Sequence, residues 1–171
     1  MAIDMSRDRG GPAPDRVTVT VEVDPVGSLG YEVDLSGYAL DRTGKVISDK
    51  HFVYFNNAAT PDGTISLDKQ GPEQTLVIDL ATLDVEVAQV AVAVTVYGAE
   101  VGFGRIPGAR ITLRRNDAVF ADYNLNSGVP DARSVVYGRL VRESAAWKFW
   151  AEGTAYPDLA ATVASFGVTT G

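Results

Sequence analysis

The sequence predicts a mainly β protein, a two-sheet β-sandwich of about ten strands with a short C-terminal helix. Short segments rich in valine, threonine, isoleucine and aromatic residues recur along most of the chain, about every 8–12 residues. Glycine, proline, asparagine and aspartate separate these segments, as is typical of turns. Only the last segment carries apolar residues at helical spacing, so we expect a single helix at the end.

Individual strands follow from alternating or β-rich runs. The turn at Asp41–Gly44 ends one such run and predicts a hairpin. The run at Gln89–Tyr97 is the most apolar, so we expect a central strand with both faces covered. The predicted strands are Val17–Asp24, Tyr31–Asp41, His51–Phe55, Thr64–Leu67, Thr75–Leu80, Gln89–Tyr97, Ala109–Arg114, Ala118–Tyr123, Ser134–Arg142 and Ala146–Glu152.

The helix is predicted within Tyr156–Phe166. Leu159, Val163 and Phe166 lie at positions i, i+4 and i+7, which places them on one helical face. Asp158 stands where a helix starts and Gly167 where one stops.

Length and charge bound the domain organisation and the function classes. The 171 residues fit one domain at 16–171, preceded by a Gly/Pro-rich segment at 1–15 that we expect to be a flexible arm. The 22 acids outnumber the 15 bases, which argues against a nucleic-acid partner. There is no cysteine and one histidine, which excludes disulfides, thiolate chemistry and multi-histidine metal sites within one chain. No apolar run is long enough to cross a membrane and no secretory signal opens the chain, so we expect a cytoplasmic protein without membrane insertion.

Oxygen-bearing side chains in the first half of the chain form a candidate calcium site. Residues two apart on a strand share a face, so the carboxylates of Glu32 and Asp34 could reach one cation. Further oxygen donors on the following loops are Asn57, Asp62, Asp68 and Glu73. The alternative is that these residues are solvated surface acids of an acidic protein.

Two tryptophans stand in the last predicted strand. Trp147 and Phe149 share one face and are expected to pack in the core, whereas Trp150 lies on the other face. A half-exposed Trp150 would suit a contact with a partner protein.

The order of several segments resembles the TerD family of tellurium-resistance and general stress proteins, from about Tyr31 to Val168. The resemblance rests on segments that match family motifs in order and spacing. These are Glu32-Val-Asp-Leu-Ser36, Gly44-Lys-Val46, His51-Phe-Val-Tyr-Phe-Asn-Asn57, Thr60-Pro-Asp-Gly63, Gly102-Phe-Gly-Arg-Ile106, Asp122-Tyr-Asn-Leu125, Tyr137-Gly-Arg-Leu-Val-Arg142 and Ala146-Trp-Lys-Phe149.

The resemblance implies a β-sandwich with a small helix, a cytoplasmic location and calcium binding. The dense acidic loop of the family is here reduced to Ser66–Glu73, in which Lys69 adds a positive charge. Glu32 replaces the first aspartate of the early strand, and Gly98 stands where the family carries an acid. Calcium affinity follows the number of charged ligands, so we expect calcium binding to be weakened or lost.

Three functions follow from these observations. The first is a non-enzymatic module for binding or assembly in a stress or tellurite response, acting through other proteins or copies of itself. The second is a calcium-binding stress protein that uses the residual acids. The third is a carboxylate-based hydrolase built on Glu32 and Asp34, which no substrate-shaping motif accompanies.

Overall fold

The computed structural model describes residues 3–4, 10–12, 16–22, 32–70, 73–97, 110–115, 118–124, 133–143 and 146–168. These ranges hold twelve strands and one α-helix. The strands are β1 (Ile3–Asp4), β2 (Gly10–Pro12), β3 (Arg16–Glu22), β4 (Glu32–Leu40), β5 (Phe52–Val53), β6 (Ile65–Gln70), β7 (Glu73–Asp79), β8 (Gln89–Tyr97), β9 (Arg110–Arg115), β10 (Ala118–Asn124), β11 (Ser134–Glu143) and β12 (Ala146–Tyr156), and the helix is α1 (Leu159–Ser165).

The strands form two six-stranded sheets within the described part of the chain. The first sheet has the order β1-β10-β9-β3-β7-β6 and the second the order β2-β12-β11-β8-β4-β5. Neighbouring strands run antiparallel except β1 and β10, which are parallel. The prediction of a mainly β, two-sheet fold with a C-terminal helix is confirmed.

Two apolar clusters hold this architecture together. The larger lies between the sheets and contains residues of both, such as Leu35 and Val94 of the second sheet and Ile78 and Ile111 of the first. The smaller lies on the outer face of the second sheet, where Val163 and Phe166 of the α1 segment cover it. The prediction that Trp147 and Phe149 pack in the core is confirmed.

Strand β8 contributes to both clusters. Its valines Val90, Val92, Val94 and Val96 point into the core between the sheets, and Ala91 and Ala93 point into the cluster under α1. It pairs with β4 on one side and β11 on the other. The predicted central strand with both faces covered is therefore confirmed.

Helix α1 begins and ends as the sequence indicates. The Asp158 side chain accepts a hydrogen bond from the Ala161 N–H at 2.8 Å and caps the first turn. Gly167 follows the helix with a φ of 79°, in the left-handed region that glycine adopts without strain. The Lys45 ammonium donates to the carbonyl of Ser165 at 2.7 Å, which ties the helix end to the hairpin after β4.

One predicted strand is much shorter than the aromatic run suggests. Of His51–Phe55, only Phe52 and Val53 form a strand, because a 3₁₀ turn at Asp49–His51 precedes them. Tyr54 and Asn57 then exchange two backbone hydrogen bonds, which closes a tight turn after two residues of strand. Here the turn chemistry outweighs the β propensity of the aromatic residues.

Two short strands fall within the segment at 1–15. Strand β1 pairs with β10 at the edge of the first sheet, and β2 pairs with Lys148–Trp150 of β12 at the edge of the second. The remaining residues of the segment lie outside the described ranges, and flexibility of the whole arm stays a prediction. The connections at 23–31 and 98–109, including Gly98 and the motif at Gly102–Ile106, also lie outside them.

Candidate functional site

Asp34 is one of the predicted calcium ligands. It is the third residue of β4 and only 6% exposed, in a strand that pairs with β8 along its whole length. Strand β5 pairs with β4 only at Gly37 and Tyr38, so the outer edge of β4 near Asp34 is not covered by β5. A side chain from the opposite sheet fills this position.

That side chain is Gln74 of β7. Its Oε1 accepts a hydrogen bond from the Leu35 backbone N–H at 2.9 Å, and its Nε2 donates to Asp34 Oδ1 at 2.9 Å. Gln74 is also buried, so both bonds are shielded from water. The amide therefore links the two sheets and gives the Asp34 carboxylate a neutral donor as a partner. We call Asp34, Leu35 and Gln74 the amide bridge.

The other predicted ligands are not gathered around Asp34 by the described structure. Asp68 lies on β6 opposite Thr75, and its side chain is exposed on the outer face of the first sheet, away from the inward-facing Gln74. The side chains of Glu32 and Glu73 lie outside the described residues, although their backbones begin β4 and β7. Among the side chains that the structure describes, no three of His, Cys, Asp or Glu come together in a geometry that could hold a metal ion.

Asp62 belongs to a separate turn. Its Oδ1 accepts hydrogen bonds from Thr60 Oγ1, Thr64 Oγ1 and the Thr64 backbone N–H at 2.7–3.1 Å. Partial burial raises the pKa of the Asp62 carboxyl, but these hydrogen bonds outweigh that effect and leave the pKa below its usual value. The Oδ1 atom of Asp62 thus holds the Thr60–Thr64 turn.

Asn57 has a similar structural task. Its Nδ2 donates to the backbone carbonyls of Lys50 and Phe52 at 3.1 and 2.7 Å. These bonds close the loop that carries β5. Asn57 therefore stabilises this loop, a role that the sequence alone did not distinguish from metal ligation.

A small cavity adjoins Asp34 on the outer face of the second sheet. Ser36, Thr95 and Leu159 line it together with the aromatic rings of Tyr54 and Phe55, and its volume of about 10 Å³ is that of a single water molecule. Phe55 stands at its rim and is 49% exposed.

Buried hydroxyl groups continue from this cavity under α1. Ser134 Oγ lies 3.0 Å from Thr95 Oγ1 and 2.6 Å from Thr162 Oγ1, and Thr162 Oγ1 donates to the Asp158 carbonyl. The hydroxyls satisfy one another and fix α1 on the sheet. The chain of hydroxyls contains no ionisable base, so its geometry indicates structural rather than acid–base chemistry.

Sequence reasoning missed Gln74. Its contact with Asp34 joins residues 40 positions apart on different sheets, so no local spacing signals it.

The half-exposed state predicted for Trp150 is confirmed, since 42% of the residue is accessible on the outer face of β12. No helix in the described part of the chain is long and apolar enough to cross a membrane.

Comparison with known proteins assigns the family. The TerD domain model matches residues 3–166. The tellurium resistance protein TerD of Serratia marcescens is 28% identical over an alignment of 179 positions that covers 96% of this chain and 93% of the relative. General stress protein 16U of Bacillus subtilis (strain 168) is 24% identical, with 85% of this chain and 82% of the relative covered.

Solved structures show the same fold. The crystal structure of SAV2460, a protein of unknown function, matches with a TM-score of 0.75 and 24% identity, covering 87% of this chain and 94% of that one. A homologue of telluride resistance protein (TerD) from Streptomyces coelicolor A3(2) matches with a TM-score of 0.70 and 18% identity, covering 84% and 92%. With the family model matched from residue 3 to residue 166, this chain belongs to the TerD domain family.

Proposed function

We propose that this protein is a non-enzymatic binding and assembly module of a stress or tellurite response, in which calcium binding is weakened or lost. The amide bridge is the observation that carries the proposal. Gln74 Nε2 donates a hydrogen bond to Oδ1 of the buried Asp34 carboxylate, so this oxygen has a partner without a cation. The names of the tellurium-resistance and general stress relatives support the link to stress.

The described donors fit a calcium shell poorly. Calcium takes six to eight oxygen ligands, usually with several carboxylates. Asp34 Oδ1 already accepts from Gln74, and Asp62 Oδ1 already accepts three hydrogen bonds within its own turn. A complete shell would have to draw on Glu32 and Glu73, and Asp68 faces the other way.

A calcium titration followed by thermal unfolding and by mass measurement tests the proposal. A ligand at a hundredfold excess over its Kd stabilises the native state by about 2.7 kcal/mol, which raises the Tm of a domain of this size by about 5–10 °C. We expect an unchanged Tm and a mass above that of the monomer. A protein that stays monomeric at every concentration would overturn self-assembly as its mode of action.

The second candidate function is calcium binding by the residual acids. One observation favours it: the buried Asp34 adjoins a cavity that also carries the hydroxyls of Ser36 and Thr95. In this case calcium raises the Tm of the wild type, and Asp34→Ala abolishes the rise. A magnesium titration is the control, because a nonspecific charge effect would raise the Tm with either cation.

We propose no catalytic step. A hydrolase built on Glu32 and Asp34 would need room for a substrate beside Asp34, and the cavity that adjoins it has a volume of only about 10 Å³, that of a single water molecule. Cytoplasmic location and the lack of a nucleic-acid partner are part of the proposal, supported by the net charge of -7.

A further inference from the structure

Two short segments at the start of the sequence cover one edge of each sheet. Strand β1 runs parallel to β10 at residues 121–122, and strand β2 runs antiparallel to β12 at residues 148–150. Both are the outermost strands of their sheets, so together they close one side of the sandwich. We call Ile3–Asp4 and Gly10–Pro12 together the edge strap.

The edge strap is held by few hydrogen bonds. Strand β1 has two residues and β2 has three. Pro12, opposite Lys148, has no N–H, and hydrogen-bonded and non-hydrogen-bonded pairs alternate along an antiparallel ladder. Of the three pairs of β2, only Gly11 with Phe149 can therefore be the hydrogen-bonded kind. So short a contact opens more easily than the long strands beside it.

The two edges under the strap form a strand-binding site. Within the described ranges, β1 pairs with two of the seven residues of β10, and β2 with three of the eleven residues of β12. The backbone groups on the outer side of an edge strand bind a further extended chain. The strap itself demonstrates that a segment of this sequence fits both edges at once.

The stacking of the sheets fixes the distance that the strap must span. The amide bridge joins β4 to β7, and each of these strands is second from one edge of its sheet. Counting strands from that side places β2 over β1, and places β3 three strand spacings inward of β2. With about 4.8 Å between strands and about 10 Å between sheets, an untwisted sandwich would separate β2 from β3 by about 17 Å.

The chain between β2 and β3 is short for this distance. Four Cα steps join Pro12 to Arg16, and an extended chain of that length spans at most about 14 Å. The twist of the sheets must therefore bring the two strands closer before the strap can pair within its own chain. Pairing within one chain is near the limit of the chain length, and short hinge connections under such a constraint favour exchange between copies.

We propose that two copies of this chain exchange their edge straps, so that the strap of each copy pairs with the β10 and β12 edges of the other. The pairing is the same as within one chain, so the exchange needs no new complementary surface. Each copy donates one strap and receives one, so a reciprocal exchange closes at a dimer. The inference rests on the proposed assembly function and names its contact.

Cross-linking between introduced cysteines tests the exchange, because the sequence contains no cysteine of its own. Pro12 and Lys148 form a non-hydrogen-bonded pair, and the Cα atoms of such pairs lie about 4.5 Å apart, within disulfide range. Pro12→Cys and Lys148→Cys are prepared as separate full-length chains, mixed at about 5 to 500 μM, where weak contacts associate, and oxidised with glutathione disulfide. We expect a disulfide-linked dimer of the two different chains that increases with concentration.

Lys50→Cys is the matched control for random collision. Lys50 is another exposed lysine and precedes β5, which lies at the opposite edge of the same sheet. Its mixture with Pro12→Cys should give about tenfold less mixed dimer or lower, because nothing holds these two thiols together. Thermal unfolding verifies that each variant is folded, and the double variant Pro12→Cys/Lys148→Cys tests the register by closing a disulfide within one chain at low concentration.

Sedimentation velocity of the wild type over the same concentrations separates this contact from the assembly function. A wild type that associates, combined with no more mixed dimer than in the control, would overturn the exchange while assembly through another surface stands. A wild type that stays monomeric without mixed dimer would overturn both. A mass that rises beyond that of the dimer would contradict a closed exchange.

Discussion

Replacement of Gln74 by leucine removes the amide bridge without leaving a large cavity. The substitution deletes the acceptor for the Leu35 N–H and the donor to Asp34 Oδ1, each at 2.9 Å in the wild type. Leucine has a volume similar to that of glutamine, so the loss is mainly one of hydrogen bonds. The Leu35 N–H and the Asp34 carboxylate then lose a partner at a buried site.

The expected loss of unfolding free energy follows from these two hydrogen bonds. A buried donor left without its partner costs about 1–3 kcal/mol, and a hydrogen bond to a charged group contributes about 1.5–3 kcal/mol. We therefore expect Gln74→Leu to lower the free energy of unfolding by about 3–5 kcal/mol. Typical domains have about 5–15 kcal/mol in total, so the loss is a large fraction of the stability. Urea unfolding followed by tryptophan fluorescence, to which the buried Trp147 and the half-exposed Trp150 both contribute, measures it.

Gln74→Glu provides the matched control. Glutamate keeps an oxygen to accept from the Leu35 N–H but sets a second carboxylate against Asp34, which raises the pKa of the pair. A carboxyl group whose pKa is higher in the folded than in the unfolded state destabilises the fold at a pH above that raised pKa. The lost stability is regained as the pH falls through the raised pKa towards the unfolded value of about 4. We expect this variant to approach the wild type in acid, whereas Gln74→Leu regains only the part that protonation of Asp34 relieves, because the Leu35 N–H lacks its acceptor at every pH.

The same pair of variants probes the relation to calcium. Two facing carboxylates attract a divalent cation, so calcium should raise the Tm of Gln74→Glu and leave that of Gln74→Leu unchanged. If Gln74→Leu and Gln74→Glu both stay within about 1 kcal/mol of the wild type at neutral pH, the amide bridge contributes little and the reasoning fails.

Three further predictions concern the scaffold. Gly138→Ala should destabilise the protein by about 3 kcal/mol, because the new Cβ would lie 2.5 Å from the Phe149 ring, whereas Gly153→Ala, with nothing within 4 Å, should change the urea midpoint little. Asp158→Ala should cost about 1 kcal/mol through loss of the α1 cap, measured as a lower urea midpoint, and Asp158→Asn should retain most of it. Asp62→Ala should be less stable than the wild type at neutral pH, and the difference should shrink as the pH falls below about 4, because the lowered pKa of Asp62 makes its contribution disappear on protonation. An Asp62 difference that is independent of pH would contradict that assignment.

Much of the fold was predictable because its signals are local. Alternation identified β3, periodicity identified α1, and the cap at Asp158 and the stop at Gly167 lie where their residue types indicate. The strand predicted at His51–Phe55 was too long, because the Tyr54–Asn57 turn competes with β propensity and prevails. Local sequence rules do not predict whether turn formation or β propensity prevails in such a segment.

The candidate site was less predictable because its bonds cross between sheets. Asp34 and Gln74 meet through the packing of β4 against β7, and nothing in the spacing of the chain encodes that meeting. Asp62 and Asn57 have the residue types of ligands, and only the structure reveals that turns and loops use their polar atoms. Residue types indicated which side chains carry polar groups but not the partner of each group.

In the middle of β8 the two faces differ in side-chain size rather than in polarity, with Val92 and Val94 on one face and Ala91 and Ala93 on the other. Most amphipathic strands are held in register because a slip by one residue would expose apolar groups to water. Here a slip would instead force valines into the shallow space under α1 and leave alanines in the deep core. The first error is overpacking and the second leaves cavities in the core, so side-chain volume sets the alignment of the second sheet.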